Sequence, residues 1–218
     1  VTAQCRQRNI DIWEAIYSKN ENLLAYPDDV LVRISYRLLE KDKHKKLLDY
    51  GFGGASNLIH FAKQGYQVSG VEVSESAIHL ASKRCEDMGV QAQLRSVKDG
   101  NIPFPDQYFD VVVAWQVLLY NDWTTFPNAM AEIDRVLKPG GLFIGTMGAV
   151  GDYSHTHSKS LGNSLFESTV PNQTGAVMML LEEHQLQDCF PGREIKTGQF
   201  GYEFEDRHGL HWIVSYVK

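Results

Sequence analysis

Asp49, Gly51, Gly53, Gly54 and Glu72 are the residues of this chain best suited by type and spacing to hold a ligand. The glycines let backbone come close to a bound group, and Asp49 sets a negative charge beside that approach. Glu72 lies 23 positions after Asp49, about the distance at which nucleotide-binding α/β folds present a carboxylate to the two hydroxyls of a ribose. The elements needed to position them are legible around them. Lys46 to Asp49 opens a short apolar run suited to a buried parallel strand, and the glycine turn follows at once. Ser56 to Lys63 then places Leu58, Ile59, Phe61 and Ala62 at helical spacing, and Gly65 stands where a helix stop is expected. Val68 to Val73 reads as the second strand, with Glu72 near its end.

Two ligand classes use such a half-fold. A dinucleotide fingerprint wants a third glycine where this chain has Ser56, and an acid at Asp49 would repel a pyrophosphate at a few ångströms. A cation is welcome there, and S-adenosylmethionine carries a sulfonium and an α-ammonium group. The run Asp49-Tyr50-Gly51-Phe52-Gly53-Gly54-Ala55 resembles the D-x-G-x-G-x-G motif of class I S-adenosylmethionine-dependent methyltransferases. Val97 to Asp106 with Phe109 to Trp115 resembles the third-strand loop and fourth strand of that family, and Glu132 to Phe143 its following helix, L-K-P-G-G turn and fifth strand. These blocks fall in order over roughly residues 47 to 147.

The resemblance implies a cofactor, S-adenosyl-L-methionine, and residues for it. Asp49, Gly51, Phe52 and Gly53 would lie by its methionine portion, and Glu72, followed by Val73, would take the ribose. Asp99 with Gly100 and Asn101 would take the adenine, and Trp115 and Gln116 would stand at the carboxyl edge of the fourth strand. Trp115 reads equally well as core. In the ubiquinone-biosynthesis O-methyltransferases an arginine on the helix before the first strand holds the cofactor carboxylate; Arg33 is the matching residue, with Arg37 four positions on. Tyr26-Pro27 with Arg33 has a weaker similarity to small methyltransferases of surface-polysaccharide clusters. Phe52 and Ala55 depart from the pattern, adding bulk by the cofactor and a methyl at the helix start. A noncatalytic cofactor-binding relative and an NAD-binding Rossmann oxidoreductase are the alternatives.

The implied fold is α/β: a Rossmann-like, seven-stranded, mostly parallel sheet with helices on both faces, a closing antiparallel strand pair and an N-terminal helical cap. The expectation is one domain over 1–218, divided into a cap (1–45), a cofactor-binding core (46–147), an irregular substrate loop (148–176) and a C-terminal helix and strand pair (177–218). In the cap, Trp13 and Tyr17 share a helix face and a second helix runs from Pro27 to about Glu40. Gln91 to Val97 is the expected third strand, Val177 to Cys189 a helix, and Gly192 to Phe204 with Leu210 to Val217 the closing pair.

A length of 218 residues suits a single domain, with 43% apolar and 22% charged residues ordinary for a globular chain. The net charge of −6 argues against nonspecific nucleic-acid binding, and Lys41 to Lys46 is the only basic run. No apolar stretch reaches membrane-spanning length and no signal peptide is recognisable, so a cytoplasmic protein acting on a small-molecule acceptor is expected. Cys5, Cys85 and Cys189 are too scattered for a disulfide framework or zinc site.

The cofactor makes its methyl group an electrophile, so the protein has mainly to align an acceptor, oxygen being slightly favoured. A hydroxyl acceptor would gain from a general base, and His155 and His157 in the expected substrate loop are the candidates. Asp152 with those histidines could ligate a metal, and Asn121-Asp122 faintly resembles magnesium-dependent O-methyltransferases, but no metal is expected. Tyr17, Tyr26, Tyr120 and His208 are further candidates for the pocket.

Overall fold

Leu47 and Leu48 are fully buried in β1 (Lys46–Tyr50), which pairs in parallel with β2 (Gln67–Glu72) on one side and β4 (Phe109–Ala114) on the other. The unbroken apolar run is what a strand covered on both faces needs, and each such leucine contributes ~1.5–3 kcal/mol by burial. The structure, a computed structural model, describes residues 2–19, 24–97 and 99–218. Lys98, within the expected third-strand loop, lies outside the described residues.

β3 (Ala92–Ser96) pairs with β2, and β5 (Leu137–Ala149) with β4, all in parallel. β10 (Arg207–Val217) runs antiparallel to β5 and carries β9 (Lys196–Phe204) on its other edge. The order β3-β2-β1-β4-β5-β10-β9 supplies the seven strands expected, closing pair included. Helices α2 (Asp29–Leu38), α3 (Ser56–Lys63) and α4 (Glu75–Asp87) contribute to the core on one face through Leu31, Leu58 and Ala81. α5 (Thr125–Val136) and α7 (Glu183–Cys189) cover the other with Phe126, Ile133 and Leu186.

Three strands exceed the expected seven and correct the division of the chain. Residues 148–176, expected to be irregular, form a short helix α6 (Tyr153–Thr156) and a hairpin of β6 (Ser158–Gly162) and β7 (Leu165–Ser168). Asn163 and Ser164 have φ of 50° and 58°, the paired positive values of a tight hairpin turn. The Gly-Asn-Ser sequence carries that signal. Val177 to Cys189, expected as one helix, is β8 (Val177–Leu181) followed by α7, because the wholly buried Val-Met-Met-Leu-Leu run fits a core strand as well as a helix. β8 pairs with Gly148 and Ala149 on the β5 edge that β4 vacates after Ala114, which stands the hairpin at the carboxyl end of the sheet.

Helix α1 (Thr2–Ser18) crosses that same end. The Asn9 side chain donates to the Tyr120 and Val177 carbonyls at 2.8 and 2.9 Å and accepts from the Val177 amide. Glu14 accepts from Ser74 Oγ at 2.7 Å and from the Ser76 amide and hydroxyl, next to the start of α4. The cap is thereby fastened across the sheet. Among the described residues no helix is long and apolar enough to cross a membrane.

Candidate active site

Gly51 follows β1 with φ +75°, and Gly53 with φ +49°. A Cβ on Gly51 would collide with Val117, and one on Gly53 with the Tyr17 hydroxyl, so both positions demand glycine for space as well as for conformation. The turn delivers the chain into α3 through Ala55, a non-glycine at φ 61° with no exposed surface. Facing the turn, Glu72 ends β2. Its carboxylate accepts from the Gly53 amide at 3.0 Å, the Val73 amide at 2.7 Å and the Ser74 amide at 3.2 Å. Burial raises the Glu72 carboxyl above the usual range, opposed by those three amides.

Asp49 lies beneath the turn at 2% exposure, and its Oδ2 has no hydrogen-bond partner. Burial pushes its carboxyl up to about 7, with the charge of Glu72 adding to the effect and the Leu58 amide opposing it. Two buried acids side by side favour any cation that comes between them and solvent.

Above these residues opens a cleft walled by α1 on one side and by the carboxyl ends of β1, β2 and β4 on the other. Arg6, Ile10, Trp13 and Tyr17 line it at spacings of four, three and four, one stripe of α1. Tyr50, Gly51, Glu72, Val73, Gln116, Val117, Tyr120 and Asn121 complete the wall with Asn9 and Val97. Trp13 meets Tyr120 edge-on at 4.9 Å and Tyr17 at 6.0 Å. Burial raises the hydroxyls of Tyr17 and Tyr120, Glu72 adding to the shift at Tyr17 and Asp152 at Tyr120. Gln116 enters the wall with φ 55°, its amide donating to Thr146 Oγ1 at 2.7 Å.

Gly51, Glu72, Val73 and Gln116 therefore stand in the cleft, with Gly53 and Asp49 directly under it, where the sequence places them. Several expected residues do not. Arg33 projects from α2 into solvent, its side chain 81% exposed and paired with Asp29, because the buried stripe of that helix runs through Leu31 and Ser35. Arg37 is exposed as well. The cleft's arginine is Arg6, which donates to the Val97 carbonyl at 3.1 Å. Phe52 turns away from the cleft into the core, where Leu58 and Phe52 fill the space above Gly70.

Asp99 is exposed and bonds its own loop, accepting from the Asn101 amide at 3.0 Å and side chain at 3.2 Å, so neither residue lines the cleft. Those bonds hold the Asp99 carboxyl below the usual range. Gly100 borders the Arg6 guanidinium without entering the wall. Trp115 is buried on the opposite side from the cleft, stacked on Phe200 at 5.3 Å, as its aromatic character allowed.

His155 and His157, the expected bases, are also absent from the cleft wall. His155 packs against Phe166 and His157 stacks on Tyr153, both within the capped turn that Asp152 builds by accepting from the Ser154 amide. Asp122 accepts from the Thr124 and Thr125 amides at the start of α5. Among the described residues no group of three or more His, Cys, Asp or Glu could hold a metal ion. Tyr26 is 82% exposed, and His208 is not in the wall.

The sequence missed Arg6, Asn9 and Ile10, although the spacing of Trp13 and Tyr17 already marked that face of α1.

Residues 48–145 match the methyltransferase domain family. An uncharacterized methyltransferase of Bacillus subtilis (strain 168) is 30% identical over 146 residues, 66% of this chain and 78% of that protein. The chain belongs to the class I S-adenosylmethionine-dependent methyltransferases. A demethylmenaquinone methyltransferase of Tropheryma whipplei (strain Twist) is 26% identical over 155 residues, 71% of this chain; the chain thus spans about 61% of the length of that curated relative. The fold is shared with the crystal structure of a SAM-dependent methyltransferase from Methanosarcina mazei, at a TM-score of 0.69 and 20% identity, covering 88% of this chain and 98% of that one.

The family's cofactor is S-adenosylmethionine. The residues present fit it. An orphaned buried carboxylate oxygen at Asp49, a turn where a Cβ would collide at Gly51 and Gly53, and a second carboxylate at Glu72 are the groups that would hold a cationic nucleoside.

Proposed function

We propose that this protein transfers a methyl group from S-adenosylmethionine to a small-molecule acceptor, oxygen being slightly favoured as the acceptor atom. The observation that carries this reading is the pair of buried acids, Asp49 and Glu72, flanking a glycine turn at the floor of the cleft. When bound, the cofactor supplies an electrophilic methyl group, so no metal and no covalent intermediate are required of the protein.

In this reading Glu72 exchanges its loop amides for the ribose hydroxyls, and Asp49 supplies the charge that favours a cationic over a phosphorylated ligand. Gly51 and Gly53 let Val117 and the Tyr17 hydroxyl close on the turn, beside which the methionine portion would lie. The Trp13 and Tyr120 rings exclude water, and Arg6 guards the far end beside Gly100. Asn121 and Gln116, at the rim near β4, offer hydrogen bonds that suit a hydroxylated acceptor. The cleft is closed on one side by the Arg6–Ile10–Trp13–Tyr17 stripe of α1, which supports a small molecule over a polymer. Holding an acceptor in line with the methyl–sulfur bond can contribute ~7–11 kcal/mol to the barrier reduction.

The test is thermal unfolding with S-adenosylhomocysteine, S-adenosylmethionine and NAD, each at ~100 times a micromolar dissociation constant. The adenosyl ligands should stabilise by ~2.7 kcal/mol, about 5–11 °C for a domain of this size, and NAD should not. A shift with NAD alone would replace this reading with an oxidoreductase.

A further inference from the structure

Ala55 stands where the D-x-G-x-G-x-G pattern ends in glycine, and it holds the backbone a glycine would take, φ 61° and ψ 19°, with no exposed surface. A left-handed backbone sets the Cβ of an alanine against a neighbouring carbonyl oxygen, so such a residue persists only where its surroundings fix it. The Ala55 amide donates to the Phe52 carbonyl at 2.8 Å, and the Ala55 carbonyl accepts from the Ile59 amide at 2.9 Å. No side chain caps α3, the helix that Ala55 opens. The residues on either side of Ala55 are held instead from outside the turn.

Arg84, in the last turn of α4, supplies that hold. Its Nη1 donates to the Gly54 carbonyl, and its Nη2 lies 3.3 Å from Ser56 Oγ, 3.3 Å from the Leu24 carbonyl and 3.4 Å from the Ala25 carbonyl. One planar fork therefore grips both the residue before Ala55 and the residue after it. Ser56, where a dinucleotide fingerprint would have its third glycine, completes the clasp: its hydroxyl donates to the Leu24 carbonyl and accepts from Arg84. The Asp28 amide donates to Asn57 Oδ1 at 2.9 Å, so residues 24–28, ahead of α2, are fastened to the start of α3 at both ends. Arg84 itself is not in the cleft wall. Its influence there passes along the chain, because Ala55 lies two residues after Gly53, whose amide donates to Glu72 and against whose backbone the Tyr17 hydroxyl closes.

We infer that Arg84 is a positioning residue for cofactor binding: its guanidinium, bonded to Gly54 and Ser56, keeps Ala55 in the left-handed conformation that sets the Gly51–Gly53 turn against Glu72, and its bonds to Leu24 and Ala25 lock residues 24–28 onto that turn. Arginine at 84 thereby compensates alanine at 55, the departure from the motif that costs the turn its conformational freedom. That the turn serves the cofactor rests on the function proposed above; that Arg84 sets the turn does not.

Wild type, Arg84→Met, Ala55→Gly and the double variant are compared by calorimetry with S-adenosylhomocysteine, by urea unfolding, and without ligand by hydrogen exchange of the Gly53 amide. Arg84→Met keeps the apolar stem and removes the fork. It should weaken S-adenosylhomocysteine about tenfold and speed Gly53 exchange about tenfold, the size of the left-handed penalty of one alanine. Glycine carries no such penalty, so Ala55→Gly alone should change affinity less than about threefold, and the double variant should match it within about threefold in both affinity and exchange. An arginine that only braced α4 would lower the urea midpoint and leave both readouts, taken without urea, unmoved. Arg84→Lys keeps the charge, but its single nitrogen cannot grip both flanks, so it should lose affinity as Arg84→Met does; it takes the place of Arg84→Met in the cycle if that variant does not fold. Affinity and exchange in Arg84→Met within about twofold of wild type, equal losses with alanine and with glycine at 55, or full rescue by lysine would each overturn the inference. Failure of the wild type to bind S-adenosylhomocysteine removes the proposed function instead, and Gly53 exchange then decides the role of Arg84 by itself.

Discussion

Replacing Asp49 by asparagine tests the central electrostatic claim, that a carboxyl is buried without compensation until a cation arrives. In the folded protein this carboxyl is pushed up to about 7 from an ordinary 3.8, by burial first and by Glu72 second. Between those two pH values the folded protein keeps a proton that the unfolded chain has released. Folding stability from this group is therefore fully present at low pH and is lost as pH rises, at ~1.4 kcal/mol per unit and ~4 kcal/mol in all. The substituted amide does not titrate. The stability of Asp49→Asn relative to wild type should then climb by ~4 kcal/mol from pH 4 to pH 7 and stay level above it, ~8–16 °C in midpoint for a chain of this length.

Shifts at groups not coupled to Asp49, such as the depressed imidazoles of His44 and His60, occur in both proteins and cancel in the difference. The assay is calorimetric or circular-dichroism unfolding of both proteins at half-unit steps from pH 4 to pH 8. Saturating S-adenosylmethionine should narrow the gap above pH 7, since a cation favours the ionised carboxyl. Two parallel curves across the whole range would refute the reasoning, because they would mean that Asp49 ionises in the folded state as it does in the unfolded.

Glu72→Ala should weaken S-adenosylhomocysteine by at least tenfold, ~1.4 kcal/mol for a charge-assisted contact, measured by calorimetry; unchanged affinity would remove Glu72 from the ribose. Gly53→Ala should cost ~1–2 kcal/mol of stability for the left-handed backbone alone, read in urea titrations. It should lose further cofactor affinity by displacing the Tyr17 hydroxyl, and adding Tyr17→Phe should recover part of that loss. Arg33→Ala should leave cofactor affinity within about twofold, because that guanidinium is 81% exposed, whereas Arg6→Ala should lower it. A loss in Arg33→Ala equal to that in Arg6→Ala would reverse the assignment.

Residue order alone encodes the half-fold from β1 to β2 and the positions that one backbone path can use. Gly51, Gly53 and Glu72 are local in chain and in space, so their spacing is enough to bring them together. The closing pair was equally legible, since β9 and β10 are neighbours in sequence. Packing settles everything that depends on which side of an element faces which neighbour. Arg33 and Arg6 have the same chemistry on two helices of the cap, and only the burial of Leu31 and of the α1 stripe shows which reaches the cleft. Asp99 is drawn into its own loop by Asn101, a competition between local hydrogen bonds and a distant ligand that no motif expresses. Trp115 and Gln116 are adjacent in sequence, yet one packs in the core beside Phe200 and the other lines the cleft. The hairpin of 158–168 and the strand after it gain their meaning only from pairing at Gly148 and Ala149, a contact across more than twenty residues that requires β5 to extend past β4.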